Sequence, residues 1–188
     1  MAIDLKFRKA AVKQLTASVG VYVLCDLDEV PIYVGQSTDG IRSRVARHLT
    51  SARSDIIANR QIDVWEIAWV WAYPISGDSA AITALENALF HKFHKTSPLM
   101  NGKVPPVPVA SYKIPLPSQK VQVMRTEEIE EKRDPAVRLP RQAEHYSALV
   151  GHFLAVKNSK EIASAMQAHF SRLAKYHGMM LGIATDEE

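Results

Sequence analysis

The sequence predicts an α+β fold within the broad α/β class: a small, mostly antiparallel β-sheet flanked by helices, continued by a C-terminal helical hairpin. Three observations carry that expectation. Two β-branched apolar runs, residues 19–24 and 31–35, are separated by the turn-forming residues 26–29. A third apolar run spans residues 62–75, and a helical stripe precedes it at Ile41, Val45, Leu49 and Ala52. Beyond Arg141 the apolar residues recur at steps of three and four through two long segments.

Taken in order, residues 5–16 read as a short helix, with Leu5, Ala11, Val12 and Leu15 inward and Lys6, Arg8, Lys9 and Lys13 outward. The strand pair follows, then a helix opening after Gly40. Residues 54–61 read as a helical turn or loop. In residues 62–75 both alternating faces are apolar, which predicts a strand covered on both sides. Trp65, Trp69 and Trp71 are expected to pack there rather than stack on unpaired bases.

A polar break at residues 76–79 leads into a second long helix, residues 80–95, striped by Ile82, Leu85, Leu89 and Phe93. His91 and His94 near its end read as part of a basic helix terminus, which complements the helix dipole, rather than as metal ligands. Five prolines (Pro105, Pro106, Pro108, Pro115 and Pro117) then exclude a helix or central strand and predict an extended wrap.

Residues 121–124 are expected as an edge strand and 127–133 as a short helix, with Pro135 and Pro140 interrupting the chain beyond it. The hairpin would group Tyr146, Leu149, Val150, Phe153 and Leu154 on one helix. The other, N-capped by Ser159, would group Ile162, Met166, Phe170, Leu173, His177 and Met180. Such stripes must pack on the first domain or on a second copy, and a homodimer is the favoured expectation. The division expected is 1–104, a sheet domain with its N-terminal helix; 105–122, a linker or wrap; and 123–188, a helical region serving dimerisation or DNA contact.

The net charge of +3 and pI near 9.0 are compatible with a polyanionic partner. Arg42, Arg44, Arg47, Arg53 and Arg60 crowd one segment opposed only by Asp55, which points to DNA and marks Arg42, Arg47 and Arg53 as contact candidates. Cys25 is the single cysteine, so neither an intrachain disulfide nor a cysteine-built zinc site is available. No apolar run approaches the roughly 20 residues of a membrane span. A cytoplasmic protein without membrane association is expected.

Gly20-Val21-Tyr22 and Tyr33-Val34-Gly35 resemble the paired signatures of the GIY-YIG nuclease superfamily, with valine in place of isoleucine in both. The resemblance extends over residues 18–103. It implies that Arg44 and His48, four apart on the next helix, are the family's arginine and histidine. By the same likeness Glu86 would be its metal-binding glutamate and Asn101 its late asparagine.

The activity implied is metal-dependent endonucleolytic cleavage of DNA, leaving 5′-phosphate and 3′-hydroxyl ends. Mg²⁺ or Mn²⁺ would sit on Glu86, Tyr22 would be the base, Tyr33 beside it would orient the water or the scissile phosphate, and His48 would accept a proton from, or orient, one of the tyrosines. Arg44 would clamp the scissile phosphate, for which its planar fork is matched. A restriction-type enzyme is favoured over a repair, structure-specific or mobile-element nuclease. A non-catalytic DNA-binding or assembly module on the same fold is the alternative.

Overall fold

The computed structural model describes residues 3–51, 54–76, 78–109 and 112–183. Strands β1 (Gly20–Cys25), β2 (Pro31–Ser37), β3 (Trp69–Pro74) and β4 (Gln119–Gln122) form one sheet in the order β2-β1-β3-β4, antiparallel throughout. β1 lies between β2 and β3 and all six of its residues are buried, which is why its apolar residues do not alternate with polar ones.

Helices α1 (Leu5–Val12) and α2 (Ile41–Thr50) cover one face of the sheet. There Ala11, Val12, Leu15, Ile41, Val45 and Leu49 pack with Tyr22, Leu24, Ile32 and Val70. Helix α4 (Ser79–His94) covers the other face, setting Ile82, Leu85, Leu89, Phe90 and Phe93 against Val21, Val23, Cys25 and Val34. Its first turn is capped by the Asp78 carboxylate, which accepts from Ala81 N–H.

Residues 62–75 are not one strand. The Asp63 side chain accepts from Trp65 N–H and starts a single 3₁₀ turn at Val64–Glu66, so pairing begins only at Trp69. The proline-rich segment runs along the α4 side: Pro105 C=O accepts from His91 Nε2, and Tyr112 and Ile114 pack on the same apolar cluster. Ser118 N–H then bonds Ala72 C=O and brings the chain into β4, two residues earlier than the sequence suggests.

Arg8 is the reverse of its outward expectation. It is fully buried and donates to the carbonyls of Val123, Val64 and Ile67, stitching α1 to β4's exit and the 3₁₀ turn. Leu5, expected inward, is half exposed.

Helices α3 (Asp55–Ala58), α5 (Thr126–Arg133), α6 (Pro135–Ala155) and α7 (Lys160–Leu181) complete the chain. The prolines do not interrupt α6: Pro135 begins it, where no amide is needed, and Pro140 sits inside it. On either side of Pro140, Arg138 pairs with Glu66 and Arg141 with Asp63.

The hairpin also turns a different face inward from the one its apolar spacing suggests. On α7 the buried residues are Ile162, Ala165, Ala168, Arg172 and Gly178, while Phe170 and Met180 are exposed. On α6 they are Arg138, His145 and Leu149, and Leu154 is exposed. Arg138 and Arg172 reach the fully buried Asp26 at the β1–β2 turn, with the Tyr176 hydroxyl donating to Asp26 and Asp28. The inward face is therefore small and charged, and it packs on the sheet domain.

Candidate active site

The site is built around the edge strand β2. In the β1–β2 register Tyr22 lies directly opposite Gly35, and such cross-strand neighbours share a face. Gly35 has no side chain there, so the Tyr22 ring extends across β2. A Cβ on Gly35 would lie 2.4 Å from the Tyr22 hydroxyl and 2.8 Å from Cε1 of Tyr33. Tyr33, two residues before Gly35, stands on the same face with its ring centroid 6.3 Å from that of Tyr22. The glycine of the second tripeptide is thus required by the tyrosine of the first.

Helix α2 lies over this face and presents Arg44 and His48 one turn apart on the flank facing the tyrosines. His48 Nε2 is 2.7 Å from the Tyr22 hydroxyl, and its Nδ1 is 2.6 Å from Ser54 Oγ. Tyr22, His48 and Ser54 are all buried. The Arg44 guanidinium lies beside the Tyr22 phenol, and its Nε–H is buried with no acceptor among the described residues.

Burial pushes the Tyr22 phenol well above its ordinary pKa of 10. Tyr33 adds to that rise and Arg44 opposes it. Burial likewise raises Tyr33 to about 12, with Glu86 adding and Arg44 opposing. Both phenols are therefore neutral at pH 7 until a positive charge or a proton acceptor assists them.

Glu86 stands on α4, which covers the opposite face of the sheet, and its charge is felt by both tyrosines. Burial raises its pKa, and the nearby Gln36 N–H only partly opposes this. A half-buried carboxylate with its charge under-compensated is suited to a hard cation. Among the described residues no three His, Cys, Asp or Glu side chains converge on a metal position. The donor set fits a Mg²⁺ or Mn²⁺ ion that keeps most of its ligands as water and substrate oxygens, and it does not fit a closed protein cage.

Asn101 lies outside the group of side chains just described. Its Oδ1 accepts from Val34 N–H at 3.0 Å and its Nδ2 donates to Val34 C=O at 2.6 Å, while Met100 N–H bonds Ile32 C=O. The carboxamide thus occupies the free edge of β2 between Tyr33 and Gly35, as a neighbouring strand would. Behind it Gly102 touches α7: a Cβ there would lie 2.6 Å from Glu161 Cβ.

The structure brings Tyr22, Tyr33, Arg44, His48 and Glu86 around one stretch of β2 and uses Asn101 to hold that stretch. The pocket is less open than a shallow surface hollow, because Tyr22 is only 1% exposed. Arg42 and Arg47 point elsewhere: Arg42 Nε donates to Leu15 C=O, and Arg47 pairs with Asp39. Arg53 lies outside the described residues. Ser54 escaped the sequence reading, since nothing in the residues 54–61 marks a hydroxyl aimed back at a histidine ring.

No curated protein matches the sequence. Residues 18–99 match the family described as the GIY-YIG catalytic domain, a nuclease-type domain, and the matched span includes both tyrosines, Arg44, His48 and Glu86. No described helix is long and apolar enough to cross a membrane. Over residues 18–99 the chain carries a domain of the GIY-YIG catalytic type.

Proposed function

We propose that the protein is a metal-dependent DNA endonuclease that hydrolyses phosphodiester bonds to 5′-phosphate and 3′-hydroxyl ends. The observation that carries this reading is the 2.7 Å contact of the Tyr22 hydroxyl with His48 Nε2, set beside Arg44, Tyr33 and Glu86. Binding DNA requires no buried phenol–imidazole pair, so that contact favours catalysis over a purely binding module.

In this account Tyr22 passes its phenolic proton to His48 Nε2, and the resulting phenolate takes a proton from the attacking water. Ser54 fixes the ring of His48 through Nδ1. Arg44, whose Nε–H has no acceptor among the described residues, bonds a phosphate oxygen and offsets charge as the five-coordinate phosphorus forms. Tyr33 orients the water or the phosphate, and Asn101 keeps β2 in place. A cation held by Glu86, when bound, supplies Lewis-acid stabilisation of the phosphate and the leaving oxygen.

The restriction-type role rests on a second copy supplying a second site, one for each strand. The outer face of the α6–α7 hairpin offers that copy Tyr146, Phe153 and Phe170, the last 51% exposed. Light scattering at micromolar concentration is expected to give twice the chain mass, and a monomer would remove the restriction-type role while leaving the nuclease. A cytoplasmic location follows from the same reading, since its substrate is there.

Nicking of supercoiled plasmid with Mg²⁺, followed by labelling of the ends, tests the activity. The expected products accept a 3′ extension by polymerase directly and carry a 5′-phosphate competent for ligation. No cleavage across plasmid, branched and single-stranded DNA with either Mg²⁺ or Mn²⁺ would favour the binding module instead.

A further inference from the structure

The matched domain begins at residue 18, so α1 lies outside it. Lys6, Lys9 and Lys13 occupy positions i, i+3 and i+7 around α1 and therefore share one stripe. The residues that α1 buries, Arg8, Ala11 and Val12, lie on the other side of the helix. All three lysines are exposed, and none forms an ion pair with the described residues. Asp4, the acidic residue next to the helix, is already taken by Arg125.

Between this stripe and α2 lies an open groove of about 410 Å³ lined by Lys9, Lys13, Arg42, Ser43, Ala46 and Thr50. The one carboxylate in its wall, Asp39, is held by Arg47 and Ser37. Arg42 is fixed against the end of α1 by its bond to Leu15 C=O, so the charge it adds stays at the groove. The groove therefore presents three cations (Lys9, Lys13 and Arg42) and one carboxylate that is already paired.

Arg42 and Arg44 are two residues apart on α2 and project from opposite flanks of it. The groove therefore lies on the far side of α2 from Tyr22, roughly one helix diameter, about 10 Å, from the site. The lysine stripe is itself about 10 Å long, seven residues at ~1.5 Å rise. That length is commensurate with about three phosphates of one strand, at ~3.4 Å axial spacing.

We propose that the α1 stripe and the α1–α2 groove form a backbone-tracking surface for duplex DNA, engaging phosphates flanking the one that is cut. The proposal rests on the nuclease reading above and extends the substrate contact beyond the matched domain. Its chemistry is sequence-independent: the lysines act as point charges that release counterions, and the hydroxyls of Ser43 and Thr50 line the floor.

The test measures binding of a ~20 bp duplex by fluorescence anisotropy in EDTA, across salt concentrations, for wild type and for the combined variant Lys6→Ala, Lys9→Ala, Lys13→Ala. A second triple variant, Lys92→Ala, Lys95→Ala, Lys113→Ala, makes the same change in net charge elsewhere on the exposed surface. The α1 variant is expected to bind at least tenfold more weakly at 100 mM salt. Its slope of log K on log salt should fall by about 1 to 3, at up to ~0.9 for each phosphate no longer neutralised.

Its single-turnover cleavage rate at saturating DNA is expected to stay within twofold of wild type, because the site itself is untouched. Unchanged affinity and slope in the α1 variant, or an equal loss in the control variant, overturns the groove. Wild-type protein that cuts branched or single-stranded DNA without binding the duplex also overturns the groove, whereas wild type that cuts none of the three overturns the nuclease reading itself, and the two failures are thereby distinguished. Melting curves of both variants confirm the fold.

Discussion

The sheet domain and the C-terminal hairpin are held by different forces. Around β1 the interior is aliphatic on both faces: Val21, Val23, Leu24, Val34, Ile41 and Val45 are all fully buried. Where α6 and α7 meet that domain, Leu149, Ile162, Ala165 and Ala168 are accompanied by the buried charged or polar groups Asp26, Glu66, Arg138, Arg172 and His145, with His169 partly buried beside them. An aliphatic core yields gradually as methylenes are removed. A buried charge network fails when one member is removed, because the remaining charges are stranded. The difference teaches that the candidate site is fixed mainly by shape and the hairpin mainly by pairing, so the two respond to different perturbations.

The largest effect expected on the site comes from Gly35→Val. Its side chain begins where the Tyr22 hydroxyl already lies, so cleavage is expected to fall by at least a hundredfold in single-turnover assays. The hairpin should remain docked by limited proteolysis. Loss of the hairpin together with the activity would mean that the two regions are not separately held.

The converse experiment is Asp26→Ala, which strands Arg172, whereas Arg138 keeps Glu66. About 3–5 kcal/mol of stability is expected to go, read by urea denaturation, with proteolytic release of residues beyond 134 ahead of the sheet domain. Uniform unfolding of the whole chain would instead show a single cooperative unit.

Acid should separate the regions more gently. His169 donates to Gln61 C=O and His145 to Arg60 C=O, with their rings 4.7 Å apart. Burial pulls His169 down to about 3, with neighbouring His145 adding to the effect, and burial also lowers His145 despite the facing Asp63. Both folded pKa values lie below the unfolded value of about 6.5. Their contribution is therefore intact above pH 6.5 and is lost progressively as the pH falls from there toward 3.

Asp63 and Asp28 titrate below the ordinary carboxylate range, so their loss comes later, below about pH 3.8. The melting temperature is expected to drop between pH 7 and pH 5 in wild type and to flatten in His169→Gln. An unchanged slope in that variant would assign the acid sensitivity elsewhere.

The smallest effect is expected from Ser54→Ala, which leaves Tyr22 and His48 in contact but frees the far side of the ring. A roughly tenfold fall in kcat, about 1.4 kcal/mol, is expected with KM unchanged and the pH–rate profile displaced. A change confined to KM would make Ser54 a structural residue of α3 alone.

Much of the site was legible because its parts are local. Tyr22, Tyr33, Arg44 and His48 fall within two strands and one helix, and their spacing survives in the fold. Glu86 and Asn101 were reachable only through family likeness, since a lone Glu on an amphipathic helix carries no distinctive period. Asp26 looked like an ordinary turn residue, and nothing local shows that two arginines more than a hundred residues later converge on it.

Arg8 was misread for a similar reason. Its charge suggested solvent, whereas three backbone carbonyls at the 3₁₀ turn and the end of β4 needed a donor. The hairpin stripe failed because apolar periodicity reports what a helix is able to bury, and here Arg172 and two alanines took the buried face instead.

The most direct measurement is the rate of Mg²⁺-dependent plasmid cleavage by wild type, Tyr22→Phe and Glu86→Ala, with Mg²⁺-induced stabilisation of each protein followed in parallel by its melting temperature. Wild type should cut and be stabilised by the ion. Tyr22→Phe should keep the stabilisation while losing at least a hundredfold in rate, and Glu86→Ala should lose both. Undiminished cleavage by Glu86→Ala, or by Tyr22→Phe, would contradict a site in which that carboxylate holds the metal and that phenol moves the proton.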